Sequence, residues 1–250
     1  MTEGAFEGFG PKALPFLKAL GFHQSREWFA ENRALYEKEC REPLRLLLDV
    51  LTARFAAEGL PLSGTLKTSS FRINRDVRFS KAKHPYNTHV SAVLTRTGTK
   101  KDIGGVYVHV APVLPEGTLG TAWGPPGSFL AAGAWQPEPD VLHAMRTRLV
   151  ERPAPFLRIA DDLAAKGYAF DPEAKLVRLP RGFTHVEDER IGDLLRHKGF
   201  TIERTVDEAT VTTPALVDAI VDFAHDAMPL LDWYWRVGDP VRAAREGAAS

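Results

Sequence analysis

The chain has one cysteine, Cys40, among its 250 residues. No disulfide can form within it, and a reducing compartment is the expected setting. No stretch approaches the roughly 18 apolar residues that a membrane span needs. The opening MTEGAFEGFG lacks the basic and then apolar order of a secretory leader. The expectation is a cytoplasmic protein with no membrane partner. An excess of one charge is missing too, because Lys plus Arg and Asp plus Glu both number 32. A protein that coats nucleic acid is usually basic overall, so an anion-binding surface here has to be local. Also absent are a P-loop, a G-x-S-x-G elbow, H-E-x-x-H and a paired C-x-x-C. Gly8-Phe9-Gly10 is no dinucleotide fingerprint, since no strand precedes it and the third glycine is missing.

What is present is an ordinary globular balance, 44% hydrophobic and 26% charged, arranged in readable periods. Leu14, Phe16, Leu17 and Leu20 form an apolar stripe that Gly21 suits as a stop. Ser25 suits the N-cap of a second helix carrying Trp28, Phe29, Leu35 and Tyr36. Pro43 opens a third, with Leu44, Leu47, Leu48, Leu51 and Phe55 at helical spacing and an end near Gly59 and Pro61. From Ser69 onward the helical period gives way to alternation. Phe71, Ile73, Val77 and Phe79 share one face of a predicted strand 71–79, and Arg72, Asn74, Asp76 and Arg78 share the other. Arg75 alone interrupts the apolar face. Further strands are predicted at 89–97, 103–110, 118–123 and 128–135. Consecutive strands with short glycine-containing links favour an antiparallel meander.

After Pro137 and Pro139, helical spacing returns through Val141, Leu142, Met145 and Leu149, and again over 155–166. Strands at 175–179 and 200–205 flank a helix near 188–197, and a last helix covers 214–235. The predicted fold is α+β: a single domain over 1–237, with an antiparallel meander sheet packed with N-terminal and C-terminal helices. The small, charged segment 238–250 reads as a frayed tail.

Charge density is the feature with chemical content. Between Lys67 and Lys101 lie nine basic residues (Lys67, Arg72, Arg75, Arg78, Lys81, Lys83, Arg96, Lys100 and Lys101) against one acid, Asp76. A neutral protein that gathers cations this way concentrates a positive field. Arginine supplies paired donors, lysine a movable point charge, and turn N–H groups add dipoles, a chemistry that suits phosphate or carboxylate. Arginine on a solvent-facing strand, or lysine blocking an exposed edge, would look the same. Arg75 tips the balance, because an arginine on an apolar face is costly unless it is paired or lines a cleft. The candidate anion contacts are therefore Arg72, Arg75, Arg78, Lys81, Lys83 and Arg181. The last is displayed by the turn Leu179-Pro180-Arg181-Gly182-Phe183. Asp76, His84, Tyr86, His89, His109, Trp135 and Lys198 are supporting pocket candidates. Lys198 also suits the last turn of a helix for dipole reasons alone.

The histidines raise a metal reading, with His84 and His89 bracketing a turn, His109 on a nearby strand and Asp76 as a fourth ligand. The spacing is nonspecific, lone histidines are commonly structural, and no metal is assigned. Cys40, between Glu39 and Arg41, has no inferable base and reads as an inert helix residue. Trp28/Phe29 and Trp233/Tyr234/Trp235 read as core packing. Trp123 and Trp135 flank Gly124-Pro125-Pro126-Gly127, where glycine permits close ligand approach.

Several blocks together are similar to one family. Phe6-x-Gly8-Phe9, Arg26-Glu27-Trp28-Phe29, the run Phe71 to Lys81 (FRINRDVRFSK) and Pro85-Tyr86-Asn87-Thr88-His89 resemble the DUF2461 family. Gly105-Val106-Tyr107-Val108-His109-Val110-Ala111-Pro112, Gly133-Ala134-Trp135-Gln136-Pro137 and Leu179-Pro180-Arg181-Gly182-Phe183 match its later blocks in order, so the resemblance spans about 6–236. It implies a shared α+β fold and assigns no activity, cofactor or catalytic residue. The functional expectation is binding, with or without turnover, of a small phosphate- or carboxylate-bearing ligand in a basic cleft built on strand 71–79. Nucleic-acid binding through 67–101 is one alternative, and a structural or protein-partner-binding module without catalysis is another.

Overall fold

The computed structural model describes residues 5–78, 83–115, 124–171 and 175–248. By its internal contacts the chain divides into two compact units. The first draws on residues within 1–102, 107–130 and 204–223, the second on residues within 103–106, 131–203 and 224–250. A four-stranded antiparallel sheet is ordered along the chain: β1 Val90–Leu94, β2 Gly105–Val110, β3 Ser128–Ala134 and β4 Phe200–Val206. With helices on either side of it in sequence, this is the expected α+β class and the expected meander.

In the first unit, α1 (Ala13–Phe22) buries Leu14, Phe16, Leu17 and Leu20. Gly21 lies inside its last turn rather than beyond it. Ser25 caps α2 (Arg26–Glu31), its Oγ accepting from Trp28 N at 3.1 Å. α3 (Arg33–Tyr36) runs through a π turn (Glu37–Arg41) into α4 (Glu42–Ala57) without a break. Pro43 follows directly on the π turn, where the Glu42 N–H bonds back five residues to the Glu37 carbonyl, so the N–H that Pro43 lacks falls where the α ladder is already interrupted. Leu44, Leu47, Leu48, Leu51 and Phe55 are all buried, each worth about 1.5–3 kcal/mol relative to exposure. α4 and the short α5 (Leu66–Ser69) pack against β1. The alternation read in β2 holds: Val106, Val108 and Val110 are buried on one side and His109 on the other, with Tyr107 half-buried.

The described part of the predicted strand 71–79 is not a strand. Over 71–78 it is extended chain that touches its neighbour through isolated bridges, Ser70↔Ala92 and Asn74↔Tyr86. Its backbone bonds are scattered: Phe71 N to Ser91 O, Asn87 N to Ile73 O and Arg75 N to Pro85 O. Pro85 has no N–H to return. The Asp76 side chain takes the Arg78 backbone N–H at 3.2 Å, and such local side-chain bonds compete with a ladder. Likewise 175–179 contributes only the bridge Lys175↔His197. The predicted strand at 118–123 lies outside the described residues.

In the second unit, α6 (Pro139–Glu151) packs on α7 (Pro153–Ala165) and on α8 (Glu189–Leu195). Phe156, Phe200, Trp233 and Tyr234 form a ring cluster, with the Phe156 centroid 4.6 Å from Trp233 and 5.1 Å from Phe200. Tyr234 donates to the Phe200 carbonyl, which satisfies a fully buried hydroxyl. Gly133 has φ +136°, and a Cβ there would strike the Phe200 backbone, so close approach of β3 and β4 requires glycine. After Glu208–Val211 (α9), the last helix, α10, covers Ala215–Ala248. The segment 238–248, read as a frayed tail, is therefore helical. Arg245 ties it to Glu138 at 2.8 Å and lies 3.8 Å from Asp140. No helix among the described residues is long and apolar enough to cross a membrane.

Candidate functional site

A cleft of about 500 Å³ opens in the first unit. Its helical wall is one stripe of α2, α3 and the π turn: Arg26, Phe29, Ala30, Arg33, Tyr36, Glu37 and Arg41, with Leu44 beyond. Residues three, four and seven apart share a helix face. The π turn, wider than an α turn, lies where this stripe passes from Glu37 to Arg41; such turns recur at functional sites. The opposite wall is the extended chain Ser70, Phe71, Arg72, Ile73 and Asn74, with Leu66, Tyr86 and Val90.

Two of the four arginines converge on one carboxylate. Arg41 Nη1 is 3.0 Å from Glu37 Oε2, and Arg33 Nε is 3.8 Å from Glu37 Oε1. Arg26 and Arg72 make no ion pair among the described residues. Four guanidinium groups against one carboxylate leave three positive charges facing one concavity. The apolar part is aromatic. Phe29 stacks on Tyr86 with centroids 4.4 Å apart and planes at 20°, and meets Tyr36 at 5.4 Å with the planes tilted by 52°. Tyr86 itself is buried and its backbone N–H is held by Gln24 Oε1 at 3.0 Å. Burial first, then the neighbouring Cys40 and Glu37, push the Tyr36 hydroxyl up to about 12. It stays protonated at neutral pH and can donate to an anion.

Behind Phe71 lies a different environment. The Phe71 ring meets Tyr107 edge-on at 5.8 Å. Tyr107 Oη is 3.0 Å from His109 Nδ1, and the His89 and His109 rings are 4.2 Å apart. Phe129 stacks on His109 at 4.5 Å. Burial, with the Arg75 charge second, pushes His89 down to about 4. Burial, with His89 second, pushes His109 down to about 2. Both imidazoles are neutral at pH 7, packed among rings.

A family model described as a conserved hypothetical protein, DUF2461, matches residues 12–233. The chain belongs to the DUF2461 family. No curated protein and no solved structure matches it.

In this DUF2461 chain the basic residues expected to act together part company. Arg72 lines the cleft. Arg75 is half-buried and its charge reaches His89. Arg78 is exposed and forms a two-pronged pair with Asp76, Nη2 to Oδ2 at 2.6 Å and Nε to Oδ1 at 2.9 Å. The Arg78 side chain and backbone hydrogen bonds hold Asp76 below the usual carboxylate range. Lys83 Nζ donates to the Val77 carbonyl at 2.9 Å, and Lys81 lies outside the described residues. His84 and His89 are half-buried, and His89 pairs with the buried His109 as described above. Arg181, Lys198 and Trp135 are exposed residues of the second unit. No group of three or more His, Cys, Asp or Glu suited to a metal ion occurs among the described residues. Cys40 is buried, and burial, then Glu39, raises its thiol to about 12, far from the thiolate a nucleophile needs.

Arg26, Arg33 and Arg41 were missed by sequence reasoning. The signal was available: Arg26, Ala30, Arg33, Glu37 and Arg41 repeat at seven-, four- and three-residue intervals on one helical stripe. It is masked by the greater density of basic residues along 67–101, which is a linear property, whereas this stripe is spread over one helical face.

Proposed function

We propose that the cleft of the first unit binds a small anion bearing a phosphate or carboxylate group. One observation carries the reading: Arg41 already hydrogen-bonds a carboxylate, that of Glu37, with Arg33 3.8 Å from its other oxygen, while Arg26 and Arg72 line the same cleft without an ion-pair partner among the described residues. Guanidinium forks in a concave, half-apolar setting match the donor geometry of phosphate and carboxylate. The volume lies in the range of small-molecule sites, about 300–1,000 Å³. The wall supplies donors and rings, and binding, with or without turnover, is the function assigned.

Titration calorimetry of the full chain with inorganic phosphate, at low and high salt, tests this. The expected result is saturable binding that weakens with salt and that the double substitution Arg26→Ala, Arg72→Ala removes without lowering the melting temperature. Absence of phosphate and carboxylate binding at low salt overturns the reading. Binding of duplex DNA with a slope of log K on log salt near −0.9 per phosphate, insensitive to those two substitutions, would move the function to the exposed basic chain instead.

A further inference from the structure

We infer that the ligand of this cleft is a phosphoryl group carried on a flat aromatic body, in preference to a bare ion or a monocarboxylate. The inference rests on the anion reading above and narrows its chemistry. Three features of the wall lead to it.

The first is the charge count. Arg26, Arg33, Arg41 and Arg72 face the cleft with only Glu37 against them. A monocarboxylate would leave two positive charges confined together, whereas a phosphoryl dianion leaves one. Like charges gathered on one wall repel, an effect that water and salt moderate here because all four arginine residues are exposed. The head group with more charge is therefore favoured.

The second is the identity of the cations. All four are arginine and none is lysine. A guanidinium offers parallel N–H donors in a fixed plane, which several phosphate oxygens can accept at once. Arg33 and Arg41 each reach a different oxygen of Glu37. The same pair can straddle two oxygens of one phosphoryl group.

The third is the surface between the cations. An inorganic ion needs only the arginines. Here they are interleaved with Phe29, Tyr36, Phe71 and the edge of Tyr86. Phe71 is a large ring left 43% exposed, and the Phe29–Tyr86 stack holds the facing rings in a fixed plane. Aromatic walls reward a flat apolar body through offset or edge-on contact, and an arginine above such a body adds a cation–π contribution. An aliphatic body gains only area.

The test compares phenyl phosphate, inorganic phosphate and benzoate by calorimetry on the full chain at one low salt concentration. Phenyl phosphate should bind about tenfold more tightly than inorganic phosphate, the scale of one aromatic contact, and more tightly than benzoate by at least that factor. Phe71→Leu, at an exposed position where the fold tolerates it, should reduce the first ratio to within about threefold while inorganic phosphate affinity holds. Phe29→Leu should do the same, with melting temperature recorded to confirm folding. Equal affinity for phenyl phosphate and inorganic phosphate, or benzoate binding as tight as phenyl phosphate, overturns this inference and leaves the anion reading standing. No binding of any of the three overturns both.

Discussion

Two basic regions of the first unit can be set side by side. The stretch 67–101 is dense in cations along the chain, yet its arginines and lysines point to different fates. Arg78 is bound by Asp76, Lys83 by backbone carbonyls, Arg75 lies against His89, and Lys100 caps the Ser70 carbonyl at 2.5 Å while passing over the Phe71 ring. The helical stripe 26–41 holds fewer cations, spaced far apart in sequence, and three of them face one cleft. An extended chain alternates its side chains and disperses them, whereas a helix returns every third or fourth residue to one face. Linear density is a poor guide to a convergent field. Periodicity is the better one.

The largest expected effect separates the two regions directly. Arg26→Ala with Arg72→Ala should weaken phosphate binding by at least about 100-fold, since each lost charge-assisted contact costs about 1.5–3 kcal/mol and two are lost. Calorimetry reads it. Phosphate affinity that survives the double change would return the site to the dense segment.

Acid titration probes the dense segment's own role. His89 has a folded pKa lowered from about 6.5 to about 4, and His109 is lowered to about 2. The unfolded chain takes up protons below about 6.5, while the folded chain resists until near 4. The stabilisation is complete above 6.5 and is lost as the pH falls through this window, by an amount on the order of 2 kcal/mol for each imidazole. Urea midpoints between pH 7.5 and 4.5 should show the slope. Arg75→Gln should shallow it, because that cation opposes His89 protonation. An unchanged slope in Arg75→Gln would remove the only interaction assigned to Arg75.

Smaller effects sharpen the helical side. Ser25→Ala removes the cap that starts the helix bearing Arg26 and should cost about 1 kcal/mol of stability, read as a lowered urea midpoint. Glu37→Gln frees Arg33 and Arg41 from their internal carboxylate. Phosphate affinity should rise by about threefold at low salt and fall back to the parent value at high salt, as exposed ion pairs are worth under about 1 kcal/mol. Arg78→Ala should leave phosphate affinity within about twofold, since its pair with Asp76 is exposed and screened.

Much of the fold was legible. The Leu44–Phe55 stripe, the Ser25 cap and the alternation in Val106–Val110 each follow from local periods that the structure repeats. The strand 71–79 was read from equally good alternation and failed, because alternation says which side chains share a face and not whether a partner strand offers an unbroken row of N–H and C=O groups. Pro85 and the Asp76 side chain break that row. The tail failed in the opposite direction. Gly238 and Pro240 argue against a helix locally, and Arg245 holding Glu138, more than 100 residues away in sequence, belongs to tertiary structure. Of the candidate anion contacts among the described residues, Arg72 alone is in the cleft lining, with Tyr86 also part of it.

The sequence by itself determined the DUF2461 resemblance, the α+β class, the helical cores and the presence of local positive charge in a neutral chain. Those are properties of composition and of near neighbours, where a few residues decide the outcome. Tertiary structure alone decided which cations face one another. Arg72 lines one cleft with Arg26, Arg33 and Arg41 because the chain around it lies across a helical stripe some thirty to forty-five residues earlier. A field at a point depends on distances through space, and those do not exist until the chain has folded.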